Sequence, residues 1–311
     1  MPEFDLLIVG GGPGGYVAAI RAAQRGLSVG LVEKERPGGV CLNWGCIPTK
    51  AMLRSAEIYN ILTAAADFGI RADNLRFDFA AVRQRKDDIV KELTDGVAGL
   101  LKANGVTVIE GHARFTSPTT VEVFEPGPSP VFTGGPRYAA APSDTSRRTL
   151  TAADVIVATG SMPALLPVPG ADLPGVITSD GAFGLTEIPD RLVVIGGSAV
   201  GAEWASLFAA VGTAVTVVEM QDRLVPLEDR EIGVALGRSF TRRGITVLTG
   251  STVTGITQSG AELAVDVGGE TTRAVATDAV LIAVGRRPNT AHLDLDRAGI
   301  VTDARGFITV D

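Results

Sequence analysis

Asp5-Leu-Leu-Ile-Val9 runs directly into Gly10-Gly-Gly-Pro-Gly-Gly15, and the reading of this stretch decides the fold. The apolar pentad has the length and composition of a buried strand. The glycines satisfy G-x-G-x-x-G, and the alanine-rich stretch from Tyr16 to Arg25 reads as a helix stopped by Gly26. Leu27 to Val32 reads as the next strand and ends at Glu33, 18 residues past the last glycine. Strand, glycine turn, helix, strand and terminal acid form the dinucleotide-binding order. Gly10 is expected to allow the tight turn, Gly12 to let backbone approach a pyrophosphate, and Gly15 to permit close helix–strand packing. Phosphates are expected at the helix amino end, where free N–H groups and the helix dipole favour anions. Glu33 is expected to accept hydrogen bonds from a ribose hydroxyl.

The same pattern recurs 186 positions later. Leu192 to Ile195 reads as a strand, followed by Gly196-Gly-Ser-Ala-Val-Gly201, a helix to Val211 and a strand ending at Glu219. Gly10 falls on Gly196, Gly15 on Gly201, Gly26 on Gly212 and Glu33 on Glu219. An internal repeat of this kind implies two nucleotides on one chain, the arrangement needed to pass electrons between two cofactors. Ser198 stands where the middle glycine is expected, which predicts weaker or shifted binding in the second copy. Glu219 favours a free 2′-hydroxyl, hence NAD over NADP, with Arg223 close enough in sequence to soften the preference.

Between the two copies lies Cys41-Leu-Asn-Trp-Gly-Cys46, which holds both cysteines of the 311 residues. Five helical steps span about 7.5 Å, whereas a relaxed disulfide wants Cα atoms roughly 4.4–6.8 Å apart. A bridge would need a distorted first turn, and Gly45 can supply the distortion. A strained bridge is easily reduced and suits a redox pair. On spacing alone, two buried free thiols remain the other reading.

The 311 residues allow two domains. Apolar content of 45% and charged content of 20% indicate a globular chain. Glycine supplies 38 residues, about 12% against a usual ~7%, consistent with many turns and close approaches to ligand. A net charge of −7 without a basic run argues against nucleic acid and anionic membranes. No secretory leader or membrane span is evident, so a cytoplasmic location is expected, where a cysteine pair is more often catalytic than structural. Two cysteines and two distant histidines make a poor metal set. Residues 49–66 and Phe79 to Lys102 read as helices, and Val106 to Ile109, Thr119 to Phe124 and Asp154 to Ala158 as strands. Glu125 to Arg148, rich in proline, glycine and serine, reads as a surface hairpin or insertion. Pro163 to Pro174 reads as a domain crossing. Ile245 to Leu248, Val253 to Ile256, Leu263 to Val267 and Ala279 to Val284 alternate like strands, with Gly285 to Asn289 closing the second fold.

With these residues in place the chain resembles the FAD-dependent pyridine nucleotide-disulfide oxidoreductases and, within them, the dihydrolipoamide dehydrogenases. The resemblance rests on Gly10 to Gly15, Gly38 to Lys50, Ala158-Thr-Gly160, Gly196 to Glu203 and Val284 to Asn289. It implies an α/β protein of two Rossmann-like domains, one for FAD and one for NAD, the second inserted in the first. It also implies bounds: 1–160 for the FAD domain with the cysteine pair, 161–285 for the NAD domain, and 286–311 for the start of the return segment. Cys41 would be the interchange thiol and Cys46 the thiol against the flavin. Lys50 would lie near the reactive flavin nitrogen and pair with Glu203, which keeps a buried lysine ionised. Thr159, Gly160 and Gly285 would join the nucleotide contacts. A bulky residue often stands over the nicotinamide pocket in this family; Ala199 stands there here, which implies a flavin less shielded from solvent.

The implied reaction passes electrons from dihydrolipoamide to the Cys41–Cys46 disulfide, then to FAD and NAD⁺. The implied partners are a lipoyl domain of a 2-oxoacid dehydrogenase complex and, for the full-length family, a second copy in a homodimer. The family continues past the counterpart of Asp311 into an interface domain that supplies a histidine–glutamate acid–base pair. His112, read as preceding a strand, and His292 are expected to be surface residues rather than that base. Impaired lipoamide turnover is therefore expected of this piece. The alternative readings are a nucleotide-binding fragment without turnover and a reductase of glutathione or another disulfide.

Overall fold

The computed structural model describes residues 1–125, 146–269 and 272–311. Its first sheet contains β1 (Phe4–Val9), β2 (Val29–Glu33), β3 (Thr107–Glu110), β4 (His112–Ser117), β5 (Thr120–Phe124) and β6 (Ser146–Val157), in the order β3-β2-β1-β6-β5-β4. The first four strands in that order pair in parallel, and β5 and β4 add an antiparallel edge. β1 is buried at five of its six positions, as a central parallel strand covered on both faces must be. Helix α1 (Pro13–Gln24) starts with proline at its first turn, where the missing N–H costs nothing, and ends before Gly26 at φ +88°.

β7 (Ser161–Pro163) leaves this sheet for a second one built from β8 (Val176–Thr178), β9 (Arg191–Ile195), β10 (Ala214–Val218), β11 (Thr246–Leu248) and β15 (Ala279–Ile282). Its order is β11-β10-β9-β15-β8, all parallel. β12 (Thr252–Ser259), β13 (Glu262–Gly268) and β14 (Arg273–Thr277) form an antiparallel meander beside it. β16 (Arg286–Pro288) pairs antiparallel with β7, so the outgoing and returning strands form one ribbon. The chain then comes back to the first sheet. Phe115 donates its N–H to Leu293 O at 2.8 Å, and Leu293 and Leu295 bury beside Phe115 and Val121. The second Rossmann-like unit is thus inserted in the first.

Helices α2 (Gly39–Trp44) and α3 (Cys46–Thr63) follow β2, and α4 (Phe79–Ala103) packs beside them, its amino end capped by the Asp78 carboxylate on Ala81 N–H at 2.9 Å. α5 (Ala199–Ala210) and α6 (Arg230–Arg242) flank the second sheet. Met52 and Ala56 of α3 share one core cluster with Trp204, Ala205 and Phe208 of α5, joining the two halves. Among the described residues no helix is long and apolar enough to cross a membrane.

Most expected elements fall within a few residues of their observed bounds. His112 begins β4 rather than preceding a strand. β14, whose residues are mostly exposed, and α6, whose apolar run Ile232 to Leu236 is interrupted by glycine, are additions to the expected elements. Residues 126–145 of the proline- and glycine-rich stretch lie outside the described residues. The strands on either side of it, β5 and β6, pair antiparallel.

Two adjacent glycines of the first turn predict opposite outcomes. A Cβ on Gly15 would sit 1.7 Å from Gly10 O, a backbone atom that cannot yield, whereas one on Gly14 meets nothing within 4 Å. Gly15→Ala is expected to cost at least about 1–3 kcal/mol, and Gly14→Ala to gain up to about 1 kcal/mol as helix propensity improves. Urea unfolding of the two variants checks the signs; equal effects would refute the packing argument.

Candidate functional site

One cleft of about 530 Å³ gathers the first glycine turn, both cysteines, Lys50 and Glu203. Gly10 takes φ +105° and donates its N–H to Val32 O at 2.8 Å; a Cβ there would stand 2.3 Å from Ala158 O. Gly11 N–H donates to Glu33 Oε2 at 2.6 Å and Glu35 N–H to Oε1 at 2.9 Å. Burial pushes the Glu33 carboxyl up from its ordinary value, against the pull of those two N–H groups. Each carboxylate oxygen retains acceptor capacity, and Glu33 still lines the cleft. Gly12 is extended at φ −72°, ψ −176° as N-cap of α1, and the nearest atom to an added Cβ is 3.7 Å away, so the turn is open on the cleft side.

The cysteines sit on two helices, not one. α2 ends at Trp44, Gly45 adopts φ −138°, ψ −108°, and α3 starts at Cys46. This break is the distortion that the five-residue spacing requires. Both side chains are free thiols, Cys41 partly buried and Cys46 exposed to the cleft. Burial, and the hydrogen bond with Cys46, push the Cys41 thiol up to about 11.

Lys50 Nζ lies 2.6 Å from Glu203 Oε1, bringing α3 of one unit to α5 of the other. Lys50 is 58% exposed and Glu203 30%, which corrects the expectation of a buried lysine. Ala158 to Ser161 form the far lip. They are clamped by Asn289, whose N–H reaches Gly160 O at 3.0 Å and whose amide reaches Thr159 O at 3.3 Å. Arg286 adds bonds to Ser161 Oγ at 2.8 Å and Ser161 O at 2.6 Å.

The second glycine turn repeats the carboxylate contacts of the first. Gly197 N–H donates to Glu219 Oε2 at 2.6 Å and Gln221 N–H to Oε1 at 2.8 Å. Gly196 takes φ +103°, and a Cβ on Gly201 would sit 1.9 Å from Gly196 O. Ser198 has the backbone of Gly12, φ −66°, ψ 176°, and its hydroxyl folds back to donate to Ala283 O at 3.2 Å. The hydroxyl is thus spent on the protein. Gly196, Gly201, Glu219 and Gly285 do not line the cleft; Val200, Glu203 and Trp204 are where the second turn's helix reaches it.

Sequence reasoning passed over several lining residues. Trp44 and Trp204, both tryptophans of the chain, flank the cleft with Phe183, which meets Trp204 edge-on at 4.9 Å. The place of Trp44 between the cysteines and the adjacency of Trp204 to Glu203 are the signals that point to them. His112 is half-buried rather than on the surface, and burial holds its imidazole down at about 4. Neither His112 nor His292 lines the cleft.

The thiols predict a graded reactivity. Alkylation needs thiolate, and a group with a value near 11 gains thiolate about tenfold per pH unit below it. Early-time iodoacetamide labelling with peptide mapping is expected to modify Cys46 first. Cys41 labelling should rise about 100-fold between pH 8 and pH 10. Equal labelling of both at pH 8 would contradict the assignment.

The family model described as pyridine nucleotide-disulphide oxidoreductase matches residues 4–311. The chain is 38% identical over 310 residues to dihydrolipoyl dehydrogenase of Chlamydia muridarum, covering 99% of this chain and 62% of that protein. It is 38% identical over 313 residues to dihydrolipoyl dehydrogenase of Bacillus subtilis, covering 99% and 64%. Among solved structures, the HOCl-induced flavoprotein disulfide reductase RclA from Escherichia coli, as its Cu(II) complex, superposes with a TM-score of 0.82 at 29% identity, covering 100% of this chain and 63% of that one. The chain thus spans a little under two thirds of the length of these relatives. It belongs to the pyridine nucleotide-disulphide oxidoreductases, an oxidoreductase family whose members use FAD and NAD.

Proposed function

We propose that the chain carries the electron-transfer core of a dihydrolipoamide:NAD⁺ oxidoreductase. The observation that carries this reading is the cleft itself, where the cysteine pair, the Lys50–Glu203 ion pair and the first glycine turn meet. The fit to FAD rests on that turn: an open Gly12, the first residues of α1 (Pro13 and Gly14) lining the cleft, and the Glu33 carboxylate at its end. Gly10, Gly12, Gly15, Glu33, Thr159 and Gly160 would hold it, and Gly196, Gly201, Glu219 and Gly285 would serve NAD. When bound, FAD supplies a two-electron carrier between a dithiol and a nicotinamide.

In this reading Cys41 exchanges with the substrate dithiol. A substrate thiolate attacks the Cys41–Cys46 disulfide, a mixed disulfide forms at Cys41, and the second substrate thiol displaces it as lipoamide closes. The two substrate thiol protons leave, and Cys41 and Cys46 take up the electron pair that ends, with one proton, on NAD⁺ as hydride. Lys50, held in place by Glu203, presents a positive charge towards the site where negative charge accumulates. No histidine of the described residues lines the cleft, so the described side chains there offer the dithiol no imidazole base. General acid–base help is typically worth about 10²–10⁴-fold. A lipoyl domain as donor, a homodimer as the assembly, and units of 1–160, 161–285 and 286–311 are part of the same proposal.

Purified chain mixed with FAD is expected to turn yellow after desalting, to lose tryptophan fluorescence because both tryptophans flank the cleft, and to bleach anaerobically on NADH. Lys50→Met should slow bleaching by about 10²-fold or more. Lipoamide reduction should lag reduction of a small one-electron acceptor by about 10²–10⁴-fold. A yellow protein that NADH does not bleach would favour nucleotide binding without turnover. Faster turnover with glutathione disulfide than with lipoamide would reassign the substrate.

A further inference from the structure

Asn43 lies on α2 between the two cysteines and is buried, only 9% exposed. It takes no part in the electron path. Its Nδ2 donates to Gly39 O at 3.0 Å, to Pro37 O at 3.3 Å and, more loosely, to Arg36 O at 3.5 Å. Its Oδ1 is also buried and accepts no hydrogen bond among the described residues. The amide is therefore oriented by what it donates to. Those acceptors are the backbone of the loop that joins Glu33 to α2, and the first residue of α2 itself.

The two cysteines differ in how firmly their helices are held. α3 is 18 residues long, and Met52 and Ala56 anchor it in the core shared with α5. α2 has six residues, and Gly38 gives its amino end no side-chain cap. A helix that short does not hold itself together. Its entry is looser still, because Gly38 and Gly39 take φ +106° and +56°, and glycine leaves the chain free to leave such conformations. Cys46 thus stands on a fixed helix, whereas Cys41 stands on one that must be tethered. Burial of Leu42 and Trp44 holds one side of α2, and the Asn43 amide ties the incoming loop to the other end. Closure of two thiols depends on how close one is held to the other, and a bridge tolerates only a narrow range of Cα separations.

We infer that Asn43 is a positioning residue for the redox pair: by binding residues 36–39 to α2 it keeps Cys41 within bridging reach of Cys46 and so sets how readily the two thiols close. The role rests on the reading of Cys41 and Cys46 as a redox pair. With a small oxidised dithiol as partner, the Cys41–Cys46 bond forms as the S–S bond of the dithiol breaks. Two electrons and two protons pass from the cysteines to the dithiol.

The test equilibrates the full chain, without air, in graded mixtures of reduced and oxidised dithiothreitol. Acid quenching, alkylation and peptide mass then give the equilibrium constant for the Cys41–Cys46 disulfide, with no turnover in the readout. Asn43→Asp keeps the shape and removes both donors, and Asn43→Leu removes them without adding charge. Both are expected to lower the constant about tenfold, which places the pair about 30 mV more positive. Leu263→Ala truncates a buried side chain in the meander beside the second sheet. It is expected to destabilise the chain while leaving the constant within about twofold. Pro37→Gly loosens the half-buried loop and should lower the constant about threefold; it carries the test if the Asn43 variants do not fold. A constant unchanged or raised in folded Asn43→Asp and Asn43→Leu overturns the role of Asn43 alone. So does an unchanged Pro37→Gly where those two do not fold, or a shift in Leu263→Ala as large as theirs. A parent that closes no Cys41–Cys46 bond in any mixture overturns the redox-pair reading as well.

Discussion

Two main chains touch where Gly39 meets Gly12, and the rest of the site depends on that contact. A Cβ on Gly39 would stand 2.5 Å from Gly12 Cα, and Gly39 takes φ +56°. Gly38, at φ +106°, donates its N–H to Gly11 O at 2.8 Å. Helix α2, which carries Cys41, therefore starts against the glycine turn with no side chain between them. Position along α2 then fixes where Cys41 stands relative to the turn, and the Gly45 break sets Cys46 beside it. A redox pair needs sub-ångström placement against its carrier, and backbone packed on backbone is the stiffest means available to a chain.

The second turn lacks such a passenger, and its differences from the first follow from that. Where Gly38 supplies the N–H for Gly11 O, Val225 supplies it for Gly197 O at the cost of a strained φ. Where Gly12 is bare and backs directly onto Gly39, the second turn carries Ser198, which turns its hydroxyl inward to Ala283 O. The shared parts are the ones the fold itself demands: a left-handed glycine at the strand end, and a third glycine whose Cβ would collide with the carbonyl of the first. Glu33 and Glu219 are likewise tied to the turn by backbone N–H groups before any ribose is considered.

Much of this was legible in the residues because glycine spacing and apolar runs report backbone geometry directly. Gly45 between the cysteines announced the helix break, and the 186-residue shift announced the second fold. The antiparallel strands are only partly readable: β4, at the edge of the first sheet, alternates half-buried and buried residues over a short stretch, and β14, in the meander beside the second sheet, has hardly any buried side chain. Long-range pairing was not readable from periodicity at all. The Lys50–Glu203 meeting and the site roles came through family resemblance, and the Asn289–Gly160 and Arg286–Ser161 clamps join residues about 130 positions apart. Arg223 is held by near neighbours, Asp222 and Pro226, a geometry that hydrophobic periodicity does not report. Burial of His112 is hidden by sequence distance, since it arises where the return segment packs on β4.

The exposure of Lys50 bears on how the site works. An ion pair in open solvent contributes little to stability because water screens it, so Lys50–Glu203 is not what binds α3 to α5. That work falls to Met52, Ala56, Trp204 and Phe208 behind it. The pair is held at 2.6 Å by helices whose packing is settled without it, and its geometry is in place before anything covers it. A ligand that fills the cleft would strip water from the ammonium and strengthen its field at the adjacent atoms. Had Lys50 been buried from the start, the chain would have met the full cost of desolvating a charge during folding. Leaving it exposed defers that cost to the binding step, where the same desolvation stabilises negative charge in the cleft. Glu203 is the necessary counterpart: without it, covering the cleft would favour the neutral amine and abolish the field. The ion pair is therefore better understood as a preorganised charge for chemistry than as a structural bond, and its placement beside Cys46 follows from the helix break at Gly45, because Lys50 is one helical turn further along α3.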